Sequence, residues 1–304
     1  MDTGGTTLAE LTTVWDERGI VISDLALAQD GTIVDPRGPN RFPMPAGDTA
    51  PLPLADGAAL RVGATIGSGG MGLVRSAVQV PLDREVAVKS LRPDVQRTLG
   101  AAELVREARV TGRLEHPNIV PIHALAADED HQPLLVMKRI DGVPWTDYLA
   151  SKPLDFHLDV LLDVCNALSF AHSRGVIHRD LKPENVMNGA FGEVYLLDWG
   201  LAVSTDPELA DRMQLARDIT RLAGTPQYMA PEMAAANASQ IGEQTDVYLL
   251  GSVLHECVTG TYRHDGNDLR ATLLQSWMSE PKTYDETVPR ELGGICNRAA
   301  ARDP

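Results

Sequence analysis

Residues 178–185, with the sequence His-Arg-Asp-Leu-Lys-Pro-Glu-Asn, form a dense polar and charged stretch between two apolar runs. Asp180 and Lys182 are two residues apart, Asn185 follows three residues later, and Pro183 restricts the backbone between them. A carboxylate, an amine and an amide at this spacing fit neither a solvent-exposed face nor a hydrophobic core. The stretch therefore predicts a loop that directs three different functional groups at one place.

Glycines are concentrated at residues 67–72, between two segments with strand patterns. One strand precedes the glycines, and the segment 74–80 follows them without helical periodicity. A further strand, 85–89, contains Val-Ala-Val-Lys and ends at Lys89. This order indicates a hairpin, whereas the glycine turn of a dinucleotide-binding fold would open a helix. The amides of such a hairpin can lie over phosphate groups, because glycine has no side chain to block the approach. A Walker A loop is excluded, since the sequence contains no Gly-Lys-Ser/Thr.

Periodic patterns predict the elements that position these groups. The predicted helices and strands are a strand at 60–66, a helix at 98–114, strands at 119–126, 133–140 and 193–197, and helices at 158–171 and from 244 onward. The strand at 193–197 ends in Asp198-Trp199-Gly200, and the helix after residue 244 carries Asp246 near its start. Two acidic residues one turn apart, Glu103 and Glu107, lie on the helix at 98–114.

In this order the motifs resemble those of protein kinases. The resemblance rests on the glycine-rich turn, the Val-Ala-Val-Lys strand, the 178–185 loop, the Asp-Trp-Gly triplet and the segment 224–232, which ends in Ala-Pro-Glu. It covers residues 60–304 and implies an α+β, two-lobed fold. A small β-rich N-lobe with one helix would span about 60–140, and a mainly helical C-lobe, incomplete at its end, would span about 141–304.

The resemblance implies ATP and Mg²⁺ as cofactors. Lys89 would hold the α- and β-phosphates, and Glu107 would hold Lys89 in place, with Glu103 as the rival candidate one turn away. Asn185 and Asp198 would bind Mg²⁺, which prefers oxygen ligands. The other nucleotide contacts that the resemblance implies are Ile66, Gly67, Ser68, Gly69, Gly70, Gly72, Val74, Ala87, Met137 as the gatekeeper, the backbone of Lys138 and Ile140, and Met187.

The acceptor side of the implied reaction is the part of the site that binds the hydroxyl receiving the phosphoryl group. There Asp180 would take the proton of the incoming hydroxyl, and Lys182 would steady the γ-phosphate. Lysine at this position, together with Thr225 in Gly-Thr-Pro-Gln-Tyr, resembles serine/threonine kinases rather than tyrosine kinases. The implied partners are therefore proteins with Ser or Thr acceptors, and the chain itself through autophosphorylation.

Arg179, next to the catalytic aspartate, suggests control by phosphorylation. A phosphate on the segment after Asp198 adds a charge of about −1.5 to −2 and could dock on this arginine. Thr220 is the first candidate for the phosphorylated residue and Thr205 the second. Thr225 is a third hydroxyl of this segment, for which a part in catalysis is the favoured role.

Two features depart from the family pattern. Trp199 stands where the family has Phe, which keeps a large apolar ring but changes its volume and could bias the packing of the segment. The sequence ends at Pro304, before the arginine that pairs with the glutamate of Ala-Pro-Glu in the family. An incomplete C-terminal end and an unpartnered Glu232 are the resulting predictions.

These departures leave a second hypothesis, a nucleotide-binding scaffold without transfer activity, or pseudokinase. A pseudokinase predicts the loss of at least one key polar residue, but all four are present: Lys89, Asp180, Asn185 and Asp198. A small-molecule kinase of related fold is a third hypothesis. The Ala-Pro-Glu segment argues against it, since this element serves a protein substrate. The prediction is therefore an active serine/threonine protein kinase of bacterial style.

The composition is acidic, with 42 Asp and Glu residues against 27 Lys and Arg and a formal net charge of −15. This charge argues against nucleic acid or an anionic membrane as a main partner. No apolar run approaches the ~18 residues of a membrane-spanning helix, and no signal peptide is visible at the start. Three widely spaced cysteines predict buried thiols in a reducing compartment, and hence a cytoplasmic protein.

Residues 1–59 differ in composition from the rest and predict an N-terminal extension and linker. Thr7 to Glu10 fit a capping box, which predicts a short helix that ends near Gly19. Asp30-Gly31 is a hairpin signal, and prolines crowd residues 36–53. A partly disordered tail is favoured, and a small segment docked on the next domain is the alternative.

Overall fold

The computed structural model describes residues 3–28, 30–34, 55–56, 59–68, 72–92 and 97–303. Gly69, Gly70 and the proline-rich segment 36–53 lie outside these residues. The described chain forms a β-rich lobe followed by a mainly helical lobe, which confirms the predicted α+β fold. None of the described helices is long and apolar enough to cross a membrane.

A helix and a two-stranded hairpin precede the first lobe: α1 (Thr3–Glu17), β1 (Ala26–Leu27) and β2 (Ile33–Val34). The sheet of the first lobe consists of β3 (Ala55–Asp56), β4 (Leu60–Ser68), β5 (Gly72–Gln79), β6 (Arg84–Leu91), β7 (Ile122–Ala127) and β8 (Pro133–Lys138). Its strand order is β3-β7-β8-β6-β5-β4, and β3 pairs with β7 in parallel. Helix α2 (Arg97–Thr111) packs Leu104 and Ala108 against Leu135 of β8. This contact holds α2, which carries Glu107, close to the strand that ends near Lys89.

The second lobe contains β9 (Gly142–Pro144), α3 (Leu154–Ser173), β10 (Val176–Ile177), β11 (Val186–Gly189), β12 (Val194–Leu196), β13 (Val203–Ser204), α4 (Pro231–Ala234), α5 (Glu243–Thr259), α6 (Leu269–Met278) and α7 (Arg290–Ala299). Val160, Val164 and Leu168 lie at helical spacing on α3 and are buried in the main core. Gly175 follows α3 with φ of +68°, a conformation that glycine adopts without strain. The chain then passes through β10 into the polar stretch 178–185, which packs against the main core.

The described part of the N-terminal extension up to Val34 packs on the second lobe, whereas β3 pairs with β7 of the first lobe. Leu11 and Trp15 of α1 are buried in the same core cluster as α3. The indole Nε1 of Trp15 donates a hydrogen bond to the carbonyl of Ala234, at 2.9 Å. Ile33 of β2 is only 3% exposed and belongs to this cluster too. Apolar burial therefore fixes both α1 and the hairpin on the helical lobe.

Replacing Trp15 by alanine is expected to undock α1, because truncating a buried Trp costs about 3–5 kcal/mol. Amide hydrogen exchange of α1 should accelerate while that of α3 stays slow. Thr13→Ala is the matched control, since Thr13 is exposed on the same helix. Equal protection of α1 in the two variants would show that Trp15 does not anchor the extension.

Candidate active site

One buried carboxylate holds the backbone of the polar loop 178–185 in place. Asp246, near the start of α5, is fully buried and accepts hydrogen bonds from the backbone N–H groups of His178 (2.8 Å) and Arg179 (2.9 Å). His172 Nε2 lies 2.8 Å from the same carboxylate. Arg179 has φ of +71°, which L residues rarely adopt, so Asp246 stabilises an unusual backbone conformation.

The three functional groups of the loop meet at Asp180. The amide Nδ2 of Asn185 donates to the Asp180 carbonyl at 2.7 Å and to its Oδ2 at 3.1 Å. The Lys182 Nζ lies 3.7 Å from Asp180 Oδ2. The hydroxyl of Thr225, from a distant part of the sequence, is a fourth group at this point. It donates a hydrogen bond to Asp180 Oδ1 at 2.8 Å. The structure thus brings together every residue that the sequence assigned to the acceptor side.

Lys182 is a buried cation, only 1% exposed. Burial alone lowers the pKa of its amine, but the carboxylates of Asp180 and Asp30 outweigh burial and raise the pKa above its ordinary value. The amine is therefore positively charged at neutral pH, beside the carboxylate of Asp180. A charged amine held in this way can neutralise a phosphoryl group.

The second cluster lies between the lobes, around Lys89. Its Nζ donates to both carboxylate oxygens of Glu107, at 2.7 and 2.8 Å, so Glu107 rather than Glu103 is its partner. Asp198 Oδ1 is 3.7 Å away. Burial lowers the pKa of Lys89, but Asp198 and Glu107 outweigh it and raise the pKa. Lys89 in turn holds the pKa of Asp198 below its usual range, so both groups carry charge.

Several of the predicted nucleotide contacts lie on the strands around Lys89. Across the sheet Val74 pairs with Lys89, and Ala87 pairs with Met137. Gly72 is close-packed, because a Cβ there would lie 3.1 Å from the Lys89 Cε. The other predicted contacts that the structure describes are Ile66, Gly67 and Ser68 on β4, Lys138 at the end of β8, Ile140 just after it, and Met187 on β11.

The sequence matches the protein kinase domain over residues 60–291, which is more than half of the chain. The chain belongs to the protein kinase family. It is similar to the serine/threonine-protein kinase PknD of Protochlamydia amoebophila (33% identical, covering 79% of this chain and 27% of the relative). It is also similar to the serine/threonine-protein kinase PknB of Mycobacterium tuberculosis (33% identical, covering 84% and 41%). A probable serine/threonine-protein kinase of Corynebacterium efficiens is 36% identical, covering 75% of this chain and 34% of the relative. The chain thus spans well under half the length of these relatives.

Two departures from the kinase pattern have structural answers. Trp199 is fully buried, with its ring 4.6 Å from that of His178, although its indole N–H has no hydrogen-bond partner among the described residues. The predicted unpartnered Glu232 is wrong, because the Thr245 hydroxyl donates to its Oε1 at 2.6 Å. Burial raises the pKa of Glu232, so a neutral hydroxyl suits this carboxyl group. The amine of Lys138 lies over the Tyr195 ring at 4.4 Å.

The candidate regulatory residues lie in different surroundings. Arg179 is buried and donates to the carbonyl of Leu201 at 3.2 Å, and burial lowers the pKa of its guanidinium to about 10. Thr205 and Thr220 are exposed, and the Thr205 N–H donates to the Gly175 carbonyl at 2.8 Å. Only the third candidate, Thr225, lies in the active site.

Sequence reasoning missed two sets of contacts. Arg106, next to Glu107 on α2, donates to the carbonyl of Gly200 and to Gln214, so α2 is tied to the segment after Asp198. The second set comes from the N-terminal hairpin, whose Asp30 and Thr32 contact Lys182. The Asp30-Gly31 signal located the turn but carried no information about where the turn docks.

Proposed function

We propose that this chain is an enzyme that transfers the γ-phosphoryl group of Mg-ATP to Ser and Thr hydroxyls of proteins. The observation that carries the proposal is the meeting of Asp180, Lys182, Asn185 and Thr225 within hydrogen-bond or ion-pair distance. A proton acceptor, a charged amine and a metal-binding amide at one point are what this transfer needs. The largely buried Lys89–Glu107 ion pair of the first lobe supports the same function.

The residues present fit a magnesium nucleotide. Lys89 holds the pKa of Asp198 below its usual range, so Asp198 is ionised, and its side chain is 43% exposed. Asn185 uses its amide nitrogen for Asp180, which leaves its oxygen as a ligand atom. Mg²⁺ is usually bound by one or two such groups together with phosphate oxygens, and would neutralise charge on the phosphates. Lys89 would hold the α- and β-phosphates, with its amine fixed by Glu107.

On the acceptor side, the Asp180 carboxylate would take the proton of the attacking hydroxyl and Lys182 would neutralise the γ-phosphoryl group. Thr225 connects the two, since it donates to Asp180 and accepts from Lys182 at 3.1 Å. The transition state is loose and its charge is spread over the phosphoryl oxygens. Positioning and neutralisation are therefore the main tasks of these side chains.

The organisation that we propose is an extension at residues 1–59 and a kinase domain from residue 60, with its lobes divided near residue 140. The family match from residue 60 supports this boundary. The proposed partners are protein substrates and the chain itself, by phosphorylation of Thr220 or Thr205 that engages Arg179. The three free cysteines support a cytoplasmic location.

Transfer of label from γ-labelled ATP to a generic protein, followed by phosphoamino acid analysis, tests this function. We expect Mg²⁺-dependent label on Ser and Thr and none on Tyr. Chelation of Mg²⁺ is the control and should abolish transfer. Label on Tyr would overturn the specificity, and bound ATP without any transfer would favour the pseudokinase.

A further inference from the structure

The tip of the N-terminal hairpin, defined here as the described residues 26–28 and 30–34, lies beside Lys182 and Thr225 of the candidate active site. Its two strands pair with Ala26 opposite Val34 and Leu27 opposite Ile33. Asp30 and Gly31 form its tip, where Gly31 has φ of +78°. The sequence separation between Thr32 and Lys182 is 150 residues, so the contact is made by tertiary folding alone.

Lys182 directs its amine at this tip. Its Nζ donates to the Thr32 hydroxyl at 2.8 Å and to the Asp30 carbonyl at 3.1 Å. The Asp30 carboxylate lies 3.3 Å from the same amine. Thr225 supplies the remaining acceptor, at 3.1 Å, so three hydrogen bonds use the three N–H donors of the lysine.

Thr32 also belongs to a chain of hydrogen-bonded side chains that ends at Asp180. Its Oγ1 is 3.3 Å from the Thr225 Oγ1, and Thr225 donates to Asp180 Oδ1 at 2.8 Å. If Thr225 donates to Asp180, its oxygen is left to accept the proton of Thr32. The hydroxyl of Thr32 is therefore connected to the proposed proton acceptor through a single hydroxyl group.

The hairpin is held in this position by backbone pairing and apolar burial. The Ile33 N–H donates to the carbonyl of Gly224 at 2.8 Å, in an antiparallel bridge beside Thr225. The Ile33 side chain is 3% exposed and packs into the main core, as does Trp15 of α1. A loosely held tail would leave such an apolar side chain in water.

We propose that the N-terminal hairpin occupies the protein-substrate site and that Thr32 is an intramolecular phosphorylation site. This inference rests on the proposed function. In the step, Thr32 Oγ1 bonds to the γ-phosphorus of ATP while the bond from that phosphorus to the β–γ bridging oxygen breaks. ADP leaves with the bonding pair, and the Thr32 proton passes through Thr225 to the Asp180 carboxylate.

The product should leave the site. A phosphate on Thr32 adds a charge of about −1.5 to −2 beside the amine of Lys182, which would neutralise part of it. The carboxylates of Asp180 and Asp30, which share this amine, would repel the remaining charge, so we expect the phosphorylated hairpin to be exchanged for another substrate. Before this step, the tether gives the hairpin an effective concentration on the order of millimolar, which disfavours external substrates.

Time-resolved mass spectrometry of the dephosphorylated chain with Mg-ATP and a generic protein substrate tests the proposal. We expect phosphate on Thr32 with a rate constant that does not change with protein concentration. Thr32→Ser should retain the label at this position, and Thr32→Val should lose it. Thr13→Val is the matched control, since Thr13 is exposed on α1 and away from the site.

Three other outcomes are possible, and each contradicts a different claim. Labelling of the external protein without Thr32 would overturn this inference and leave the proposed function standing. A Thr32 rate that rises in proportion to chain concentration would overturn the intramolecular step. Absence of label from both proteins would overturn the inference and the function together.

A second variant, Ile33→Asp, separates the docking of the hairpin from the hydroxyl of Thr32. An unpaired charge in a buried apolar site is unfavourable, so the hairpin should detach. We expect Thr32 labelling to fall and kcat/KM for the external protein to rise about tenfold or more, because the open site becomes the main population. An unchanged kcat/KM, with Thr32 labelling retained, would show that the hairpin does not occupy the substrate site.

Discussion

Replacing Asp180 by asparagine is expected to lower the rate of phosphoryl transfer by about 10²–10⁴-fold, the usual contribution of a general base. Asparagine has nearly the same shape and can still hydrogen-bond to Asn185 and Thr225. It has no charge and does not accept a proton at neutral pH. ATP binding should remain, because the nucleotide contacts lie on Lys89 and Asp198 instead. Steady-state transfer to a generic protein and nucleotide titration give the two quantities.

Asp159→Asn is the matched control for this variant. Asp159 is exposed on α3, so the same chemical change should leave the transfer rate and the unfolding free energy almost unchanged. A rate for Asp180→Asn within tenfold of the unmodified chain would remove Asp180 from the proton-accepting role. Loss of ATP binding together with transfer would show that the substitution damages the fold instead.

Replacing Lys89 by methionine is expected to destabilise the protein by about 3–5 kcal/mol and to abolish transfer. The substitution leaves the Glu107 carboxylate, 8% exposed, without its partner, and breaking a buried ion pair from one side has a cost of this size. The double variant Lys89→Met/Glu107→Leu removes both charges. It should recover most of the stability but none of the transfer, because the phosphate-binding amine is still missing. Chemical denaturation and transfer assays separate the two effects.

An exposed ion pair of the same lobe is the control for Lys89. Arg139 and Glu85 are 2.6 Å apart, but their side chains are 33% and 67% exposed. Arg139→Met should therefore cost only about 0–1 kcal/mol, since water solvates the remaining charge. If Lys89→Met were no more destabilising than Arg139→Met, the Lys89–Glu107 pair would have no special structural role.

The local motifs predicted much of the candidate site, because each motif consists of residues that are near in sequence. Residues 178–185 fold as the loop that their spacing indicates, and β4 ends at Ser68 and β5 begins at Gly72, on either side of the remaining glycines. Asp246 lies near the start of a helix, as the sequence predicts, and its carboxylate accepts hydrogen bonds from the loop backbone. Helix α3 begins at Leu154, four residues before the apolar repeat, because Pro153 rather than the repeat marks its start.

Contacts between distant segments could not be predicted in this way. Periodicity and turn signals describe the hairpin at Asp30-Gly31 but not the surface on which it packs. Its position depends on the burial of Ile33 and Trp15, which requires the complete helical lobe. Glu232 is a further case, since resemblance alone predicted a missing cation and the fold supplies the hydroxyl of Thr245 instead.

The fate of bound ATP in a single turnover is the most direct test that this chain is a kinase, because it requires no known substrate. The chain, in excess over γ-labelled ATP, is mixed with Mg²⁺ and quenched at intervals, and the label on ATP, phosphate and protein is measured. We predict that ATP is converted to ADP while the label appears on Ser or Thr of the chain. ATP that binds with Mg²⁺ and stays intact would contradict this account and identify a nucleotide-binding scaffold.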